Sequence, residues 1–333
     1  MKAWVLENKA NIEKRPLLLR EVSIPEPEEG EIRVKVHACG VCRTDIHIAE
    51  GDLPLRKLPL ILGHQIAGVV EKVGKGVNEF KVGDRAGIAW LNFSCGNCKF
   101  CRSGRENLCP QAKFTGWNVD GGYAEYVKVS QDFAFHLWEN LSFTEIAPLM
   151  CAGIVSYRAL RLTGVRRGDK LGLYGFGPAA SYVLQVAKYL GIEIFVITRS
   201  EKNKNRAREL GADWVGGYED EAPSRFDAGI IFPPAGNLVE LALSQIDSGG
   251  KLILGAVYMT PIEIKDYNRI WMERSIKSLA NVTREDGREF LEIAAKVGMK
   301  TEVEVFSFDE LPKALILAKG GKVKGNAVIK LAD

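Results

Sequence analysis

The chain reads as an α/β protein of two domains, one β-rich and one built on a doubly wound parallel sheet. Three observations predict this. Its 333 residues exceed what one hydrophobic core usually organises. Residues up to about 150 run as short apolar strands between Gly-rich turns. From about residue 153, β-branched apolar runs alternate with helical patterns.

The first domain takes its strands from "MKAWVLE", "EIRVKVHAC", "IAGVVEKVG", "DRAGIAW" and "YAEYVKV", which together suggest a small barrel. In the second, "KLGLYGFG" leads into "PAASYVLQVAKYLG", "IEIFVIT" into "SEKNKNRARELG", and "FDAGIIF" into "NLVELALSQI" and then "GKLILGAV". That is the βαβαβ rhythm of a parallel sheet covered by helices on both faces. After "RSIKSLA", a helix in "REDGREFLEIAAKVG" precedes "TEVEVFSF" and "NAVIKLA", expected as strands that rejoin the first domain. The domains are therefore drawn as 1–152 with 285–333, carrying a cysteine lobe at 92–112, and 153–284.

Composition narrows the function classes. The 45 basic and 42 acidic side chains leave a net charge of +3 spread along the chain, giving no reason to expect a nucleic-acid or membrane partner. Charges at Lys2, Glu7 and Lys9 interrupt any secretory core, and no run of 18 apolar residues exists, so a cytoplasmic protein is expected. In that reducing compartment, seven cysteines, an odd number, are metal ligands or reactive groups sooner than disulfides.

Four of them lie in "CGNCKFCRSGRENLC": Cys95, Cys98, Cys101 and Cys109. This density fits tetrahedral zinc in a closed four-thiolate shell, a structural site. The intervening Asn97, Lys99, Arg102 and Arg105 bury little surface, so the loop depends on its metal. An iron–sulfur cluster and a metal-free loop are the alternatives.

Chemistry must come from elsewhere. Cys39 and Cys42 sit in "HACGVCRTDIH", His64 in "LGHQIAG" and Cys151 in "PLMCAG". A catalytic zinc takes three protein ligands and keeps one open position, and two cysteines with one histidine is a known set. Taken singly, each of these residues is a weak signal.

A Gly-rich turn, "GFGPAA", follows the strand "KLGLY" and opens a helix, the context of a dinucleotide site. Gly175 allows the tight turn, Gly177 lets the backbone approach a pyrophosphate, and Ala180 holds the packing-limited third position. Phe176, Pro178 and Ala179 complete the turn; Pro178 loses only an N–H that the helix start would not pair. The next strand ends "FVITRSEKNK" and puts Thr198 where an NAD site carries Asp or Glu. Arg199, Ser200 and the nearby Lys202 and Lys204 suit a 2′-phosphate, which favours NADP, with NAD or a merely solvated helix start as the alternatives.

With "GVCRTDIH", "GHQIAG", the four-cysteine spacing and "GFGPAA" together, the sequence resembles the zinc-dependent, medium-chain alcohol dehydrogenases over essentially its whole length. The resemblance implies a GroES-like catalytic domain beside a Rossmann cofactor domain, with the active site in a cleft between them. Carried over by position, it makes Cys42, His64 and Cys151 the catalytic zinc ligands and leaves Cys39 a buried thiol. It puts Asp45 behind the ligand histidine, Thr44 and His47 in a proton relay, and Arg43 on the cofactor pyrophosphate. One departure is Gln65, where the family often has glutamate; an amide cannot become an anionic ligand.

The resemblance thus implies two zinc ions, NADP or NAD, and hydride transfer between an alcohol and an aldehyde. A homodimer or homotetramer is expected. Trp90 and Trp117 either line an apolar pocket or belong to the core. Polyol or amino-alcohol oxidation within the family, and a non-catalytic nucleotide- or zinc-binding regulator outside it, are the rival readings.

Overall fold

The computed structural model describes residues 1–332 and divides into two compact units. The first holds Met1–Cys151, Val282–Leu291 and the chain from Lys300 onward; the second holds Ala152–Asn281 and Glu292–Met299. The sequence-drawn boundaries differ at the carboxyl side, because the helix Arg284–Val297 contributes its first part to one unit and its last part to the other.

In the first unit, the strand Glu31–Gly40 organises the main sheet. It pairs antiparallel with Gln65–Val73, Tyr126–Ser130 and the closing strand Asn326–Lys330. Gln65–Val73 pairs in turn with Arg85–Ile88, while Val303–Ser307 lies parallel to Asn326–Lys330. "TEVEVFSF" and "NAVIKLA" thus do rejoin the β-rich sheet. A smaller sheet joins Lys2–Leu6 to Leu17–Glu21 and Leu60–Ile61. Alternating apolar positions of these strands, including Ile32, Val34, Val36, Ile66 and Val70, are all but removed from solvent and form the core.

One element departs from the strand reading. "YAEYVKV" forms a ladder only from Tyr126, because Gly121, Gly122 and Tyr123 bond instead to Ile61, Gly63 and Leu62 carbonyls at 2.8–3.0 Å. Beyond Gly40 the chain turns into the helix Arg43–Glu50, which carries Arg43, Thr44, Asp45 and His47.

In the second unit, six parallel strands run in the order Trp214–Gly216, Glu193–Ile197, Lys170–Tyr174, Phe226–Ile231, Ile246–Leu254, Ser275–Ser278. The order reverses at Lys170–Tyr174, the strand before "GFGPAA", which is the topological switch point where open α/β sheets bind ligands. Helix Pro178–Leu190 buries Ala180, Val183, Leu184, Val186 and Ala187 on one side and ends at Gly191 in the left-handed region. No helix among the described residues is long and apolar enough to cross a membrane.

Candidate active site and metal centres

The strand Glu31–Gly40 ends at the first ligand. Cys42 is the N-cap of Arg43–Glu50: its sulfur accepts the Thr44 N–H at 3.5 Å, and Asp45 Oδ2 accepts the Cys42 N–H at 2.9 Å. This reciprocal capping box draws the first turn tight around the thiolate. His64 follows Gly63, whose φ of +92° turns the chain into the strand Gln65–Val73. Cys151 stands where the short 3-10 turn Ala147–Met150 ends.

These three segments bring the Cys42 and Cys151 sulfurs and a His64 ring nitrogen within 4.8 Å of one another. His64 donates from Nδ1 to Asp45 Oδ1 at 3.1 Å, which leaves Nε2 as the nitrogen that can bind a metal once it gives up its proton. Burial opposes charge on His64, but the Asp45 carboxylate and then the Cys42 thiolate outweigh it and raise its pKa to about 10. The Cys42 thiol is held well below its ordinary value, first by the hydrogen bond to Cys151, against the pull of burial. Surroundings that favour a proton on this imidazole also favour a divalent cation, and two thiolates with one imidazole is a donor set that fits zinc.

Around it, Thr44 Oγ1 lies 3.6 Å from Cys42 Sγ. His47, one turn further along the helix, is partly exposed and pairs through Nδ1 with Asp52 Oδ2 at 2.7 Å. Arg43 is exposed, and its guanidinium donates to the Lys319 carbonyl at 2.5 Å. Gln65 is buried with its amide against Gly40, where an added Cβ would come within 2.4 Å of Oε1. Cys39 is buried outside both cysteine clusters. Trp90 is buried, meets His64 edge-on at a centroid distance of 4.7 Å, and stacks with Phe114 and Trp117. Trp117 is half-buried and donates from Nε1 to the Pro54 carbonyl at 2.9 Å.

The sequence reading missed Tyr123. Its hydroxyl donates to Asp45 Oδ2 at 2.8 Å. The glycine pair before it, a sign of close backbone approach, was the available signal.

In the lobe, all four sulfurs lie within 4.8 Å of one another. Cys95 and Cys101 are 3.9 Å apart and Cys98 and Cys101 3.5 Å. With Zn–S bonds of about 2.3 Å, a tetrahedron has sulfur–sulfur edges of about 3.8 Å, so the spacing fits zinc. The Asn97 N–H, with help from that of Cys98, brings the Cys95 thiol down to about 6 against the effect of burial. Glu106 fastens the lobe to the helix Arg284–Val297, accepting from the Arg284 backbone at 2.8 Å and from its guanidinium at 2.6 and 3.0 Å. Burial works to raise the Glu106 pKa, but these bonds hold it below the ordinary carboxylate value.

In the second unit, Gly175 has φ +76° and packs so close to Pro233 that a Cβ would sit 2.5 Å from its ring. A Cβ on Gly177 would meet nothing within 4 Å. Gly177 caps the helix Pro178–Leu190 with no side-chain acceptor, so the first N–H groups remain open to a phosphate. An open cavity of about 370 Å³ lies here, walled by Gly175–Gly177, Thr198–Ser200, Asn203 and Tyr218. Thr198 is buried, Arg199 is exposed with its guanidinium 5.7 Å from the Tyr218 ring centroid, and Ser200 caps the next helix. Phe176 also lines the cavity, whereas Ala180 packs inward. Lys204 pairs with Glu201 at 2.8 Å. Asn203 and Tyr218 were not foreseen, since no spacing rule ties them to the Gly-rich turn.

Comparison with known proteins agrees with this chemistry. Residues 28–139 match the alcohol dehydrogenase GroES-like domain. The chain is 42% identical to "Probable alcohol dehydrogenase AdhA" of Mycobacterium tuberculosis over 99% of its own length and 97% of the relative's. It is 37% identical to an alcohol dehydrogenase of Geobacillus stearothermophilus, covering 96% and 97% of the two chains. A cinnamyl alcohol dehydrogenase of Sorghum bicolor superposes with a TM-score of 0.89 at 27% identity, covering 99% of this chain and 97% of that one. On identity over nearly the full length, together with the cysteine–histidine cluster, the chain belongs to the zinc-dependent, medium-chain alcohol dehydrogenase family.

Proposed function

We propose that this alcohol dehydrogenase interconverts small apolar alcohols and aldehydes with NADP(H) in preference to NAD(H). Cys42, His64 and Cys151 would hold the catalytic zinc, and Cys95, Cys98, Cys101 and Cys109 a structural one. The observation that carries the reading is the convergence of Cys42, His64 and Cys151 backed by the buried Asp45. When bound, zinc supplies a Lewis acid for the substrate oxygen and the nicotinamide a hydride acceptor.

The chain's own residues handle orientation and the proton. Alcohol oxidation releases a hydride and a proton, and Thr44 with His47 would carry the proton outward. Asp52 accepting from His47 Nδ1 would leave Nε2 as the basic nitrogen. His47→Gln is therefore expected to depress alcohol oxidation below about pH 7 to 8, with partial rescue by added base. An unchanged pH–rate profile would remove His47 from the relay.

The aromatic stack of Trp90, Phe114 and Trp117 supports an apolar substrate over a polyol. Gly175, Phe176, Gly177, Pro178 and Ala179 would hold the dinucleotide phosphates, and Arg43 would reach the pyrophosphate. The absence of a carboxylate at Thr198 and the presence of Arg199 support NADP. Exposed Val257, Tyr258, Tyr267, Trp271 and Met272, in the segment leading to the edge strand Ser275–Ser278, support a homo-oligomer. Light scattering that finds only monomer at micromolar concentration would remove that expectation.

The deciding experiment assays zinc-loaded protein with primary, secondary and polyol substrates, each with NADP and with NAD. Turnover of apolar alcohols, faster with NADP, is expected. No turnover of any alcohol with either dinucleotide would defeat the proposal.

A further inference from the structure

We infer that Tyr123 is a positioning residue for the Cys42–His64–Cys151 centre: it orients the Asp45 carboxylate that in turn aims His64. This rests on the reading of that cluster as a metal site. Asp45 is fully buried, so each of its oxygens must find its donors within the protein. Oδ1 accepts from His64 Nδ1 at 3.1 Å and from the Gly63 N–H at 3.3 Å; Oδ2 accepts from the Cys42 N–H at 2.9 Å and from the Tyr123 hydroxyl at 2.8 Å. One carboxylate therefore ties the Cys42 turn to the His64 turn. Tyr123 is the side chain that braces it from a third segment.

The segment is built for this approach. Gly121, Gly122 and Tyr123 bond to the Ile61, Gly63 and Leu62 carbonyls, so Tyr123 is registered on the residues just before His64. Its ring lies so close to Gly63 that a Cβ there would stand 2.8 Å from Cδ1. Tyr123 is itself fully buried, and the other acceptor near its hydroxyl is the Gly40 carbonyl at the longer distance of 3.4 Å. Phenylalanine would fill the same space without the hydroxyl. A buried hydroxyl without a partner costs free energy, so a tyrosine here is explained by the bond to Asp45.

Removing the hydroxyl leaves Oδ2 with the Cys42 N–H alone and frees the carboxylate to turn away from His64. Groups that orient a ligand histidine typically change metal affinity 10- to 100-fold when lost. Since Tyr123 acts one bond further out, Tyr123→Phe is expected to weaken zinc at this centre by about tenfold, the low end of that range. Chelator competition on the full chain measures this, with zinc in the four-cysteine lobe as the unaffected internal reference. Cobalt(II) substituted at the centre should show shifted thiolate and d–d absorption bands in the variant.

In an Asp45→Ala background, the same tyrosine change should have no further effect on zinc affinity, because the side chain it orients is gone. Unchanged affinity and cobalt spectrum in Tyr123→Phe, or an equal loss in the Asp45→Ala background, would overturn the inference. Should the phenylalanine variant not fold, 3-fluorotyrosine at position 123 strengthens the donor and keeps the hydroxyl; an unmoved cobalt spectrum would overturn it equally. Wild-type protein that takes up no metal at Cys42, His64 and Cys151 defeats the proposed function. Wild-type uptake with an unaffected variant defeats the Tyr123 inference alone.

Discussion

Cys42→Ser is expected to lower alcohol oxidation at least about a thousandfold while leaving a folded protein that retains one zinc of two. The magnitude follows from losing a Lewis acid worth several kcal/mol of barrier, at about 1.4 kcal/mol per decade of rate. Folding should survive because serine is itself a good N-cap: its hydroxyl can take over the Thr44 N–H, and Asp45 still accepts the Cys42 backbone N–H. The substitution thus separates metal chemistry from helix capping. Cys98→Ser should do the reverse. It opens the lobe's thiolate shell, and the lobe's polar and basic side chains offer no core to replace it. Thermal stability should fall while the residual folded fraction turns over normally, since Cys42, His64 and Cys151 are untouched. The Glu106–Arg284 bonds hold the lobe to the helix Arg284–Val297 but supply no ligand, so they leave the opened shell unrepaired. Metal analysis of the loaded wild type finding one zinc, or iron, would sink the two-zinc reading. So would a Cys42→Ser protein with near-normal turnover.

The cofactor preference should respond almost as strongly. A charge-assisted bond from Arg199 to a 2′-phosphate is worth about 1.5 to 3 kcal/mol, or roughly a ten- to hundredfold preference for NADP. The Tyr218 ring beside the guanidinium limits its wandering on an otherwise exposed strand end. Arg199→Ala should remove most of the preference by weakening NADP. Adding Thr198→Asp should invert it, supplying a ribose acceptor for NAD and repelling the phosphate. Thr198 is 4% exposed, so the aspartate variant is informative only if it folds; Arg199→Ala alone still decides the arginine's role. The comparison requires kcat/KM for both dinucleotides on one alcohol. A wild type that prefers NAD, or unchanged selectivity in Arg199→Ala, would show that Arg199 serves solvent.

What the sequence by itself determined is what short spacing can encode. Cys95, Cys98, Cys101 and Cys109 follow one another at a spacing typical of zinc ligands, and the structure brings their sulfurs within 4.8 Å. "GFGPAA" between a strand and a helix likewise announces its own turn, and the missing acid at Thr198 is visible as soon as the strand end is located. Alternating βα patterns predicted the parallel sheet for the same reason, since each unit's hydrophobic period is local. The catalytic cluster was legible by resemblance alone, because nothing in the spacing of Cys42, His64 and Cys151 requires them to meet.

Tertiary structure alone decided how those residues are held. Tyr123 reaches Asp45 across 78 residues and Glu106 reaches Arg284 across 178. Asn326–Lys330 pairs with Glu31–Gly40 from the far end of the chain. Such partners are chosen by register and burial. Tyr123 left the expected strand because bonding of Gly121–Tyr123 to Ile61–Gly63 satisfied their backbone groups while the tyrosine ring filled the space above Gly63. That choice depends on atoms from several segments at once, and a pattern read along one segment does not contain them.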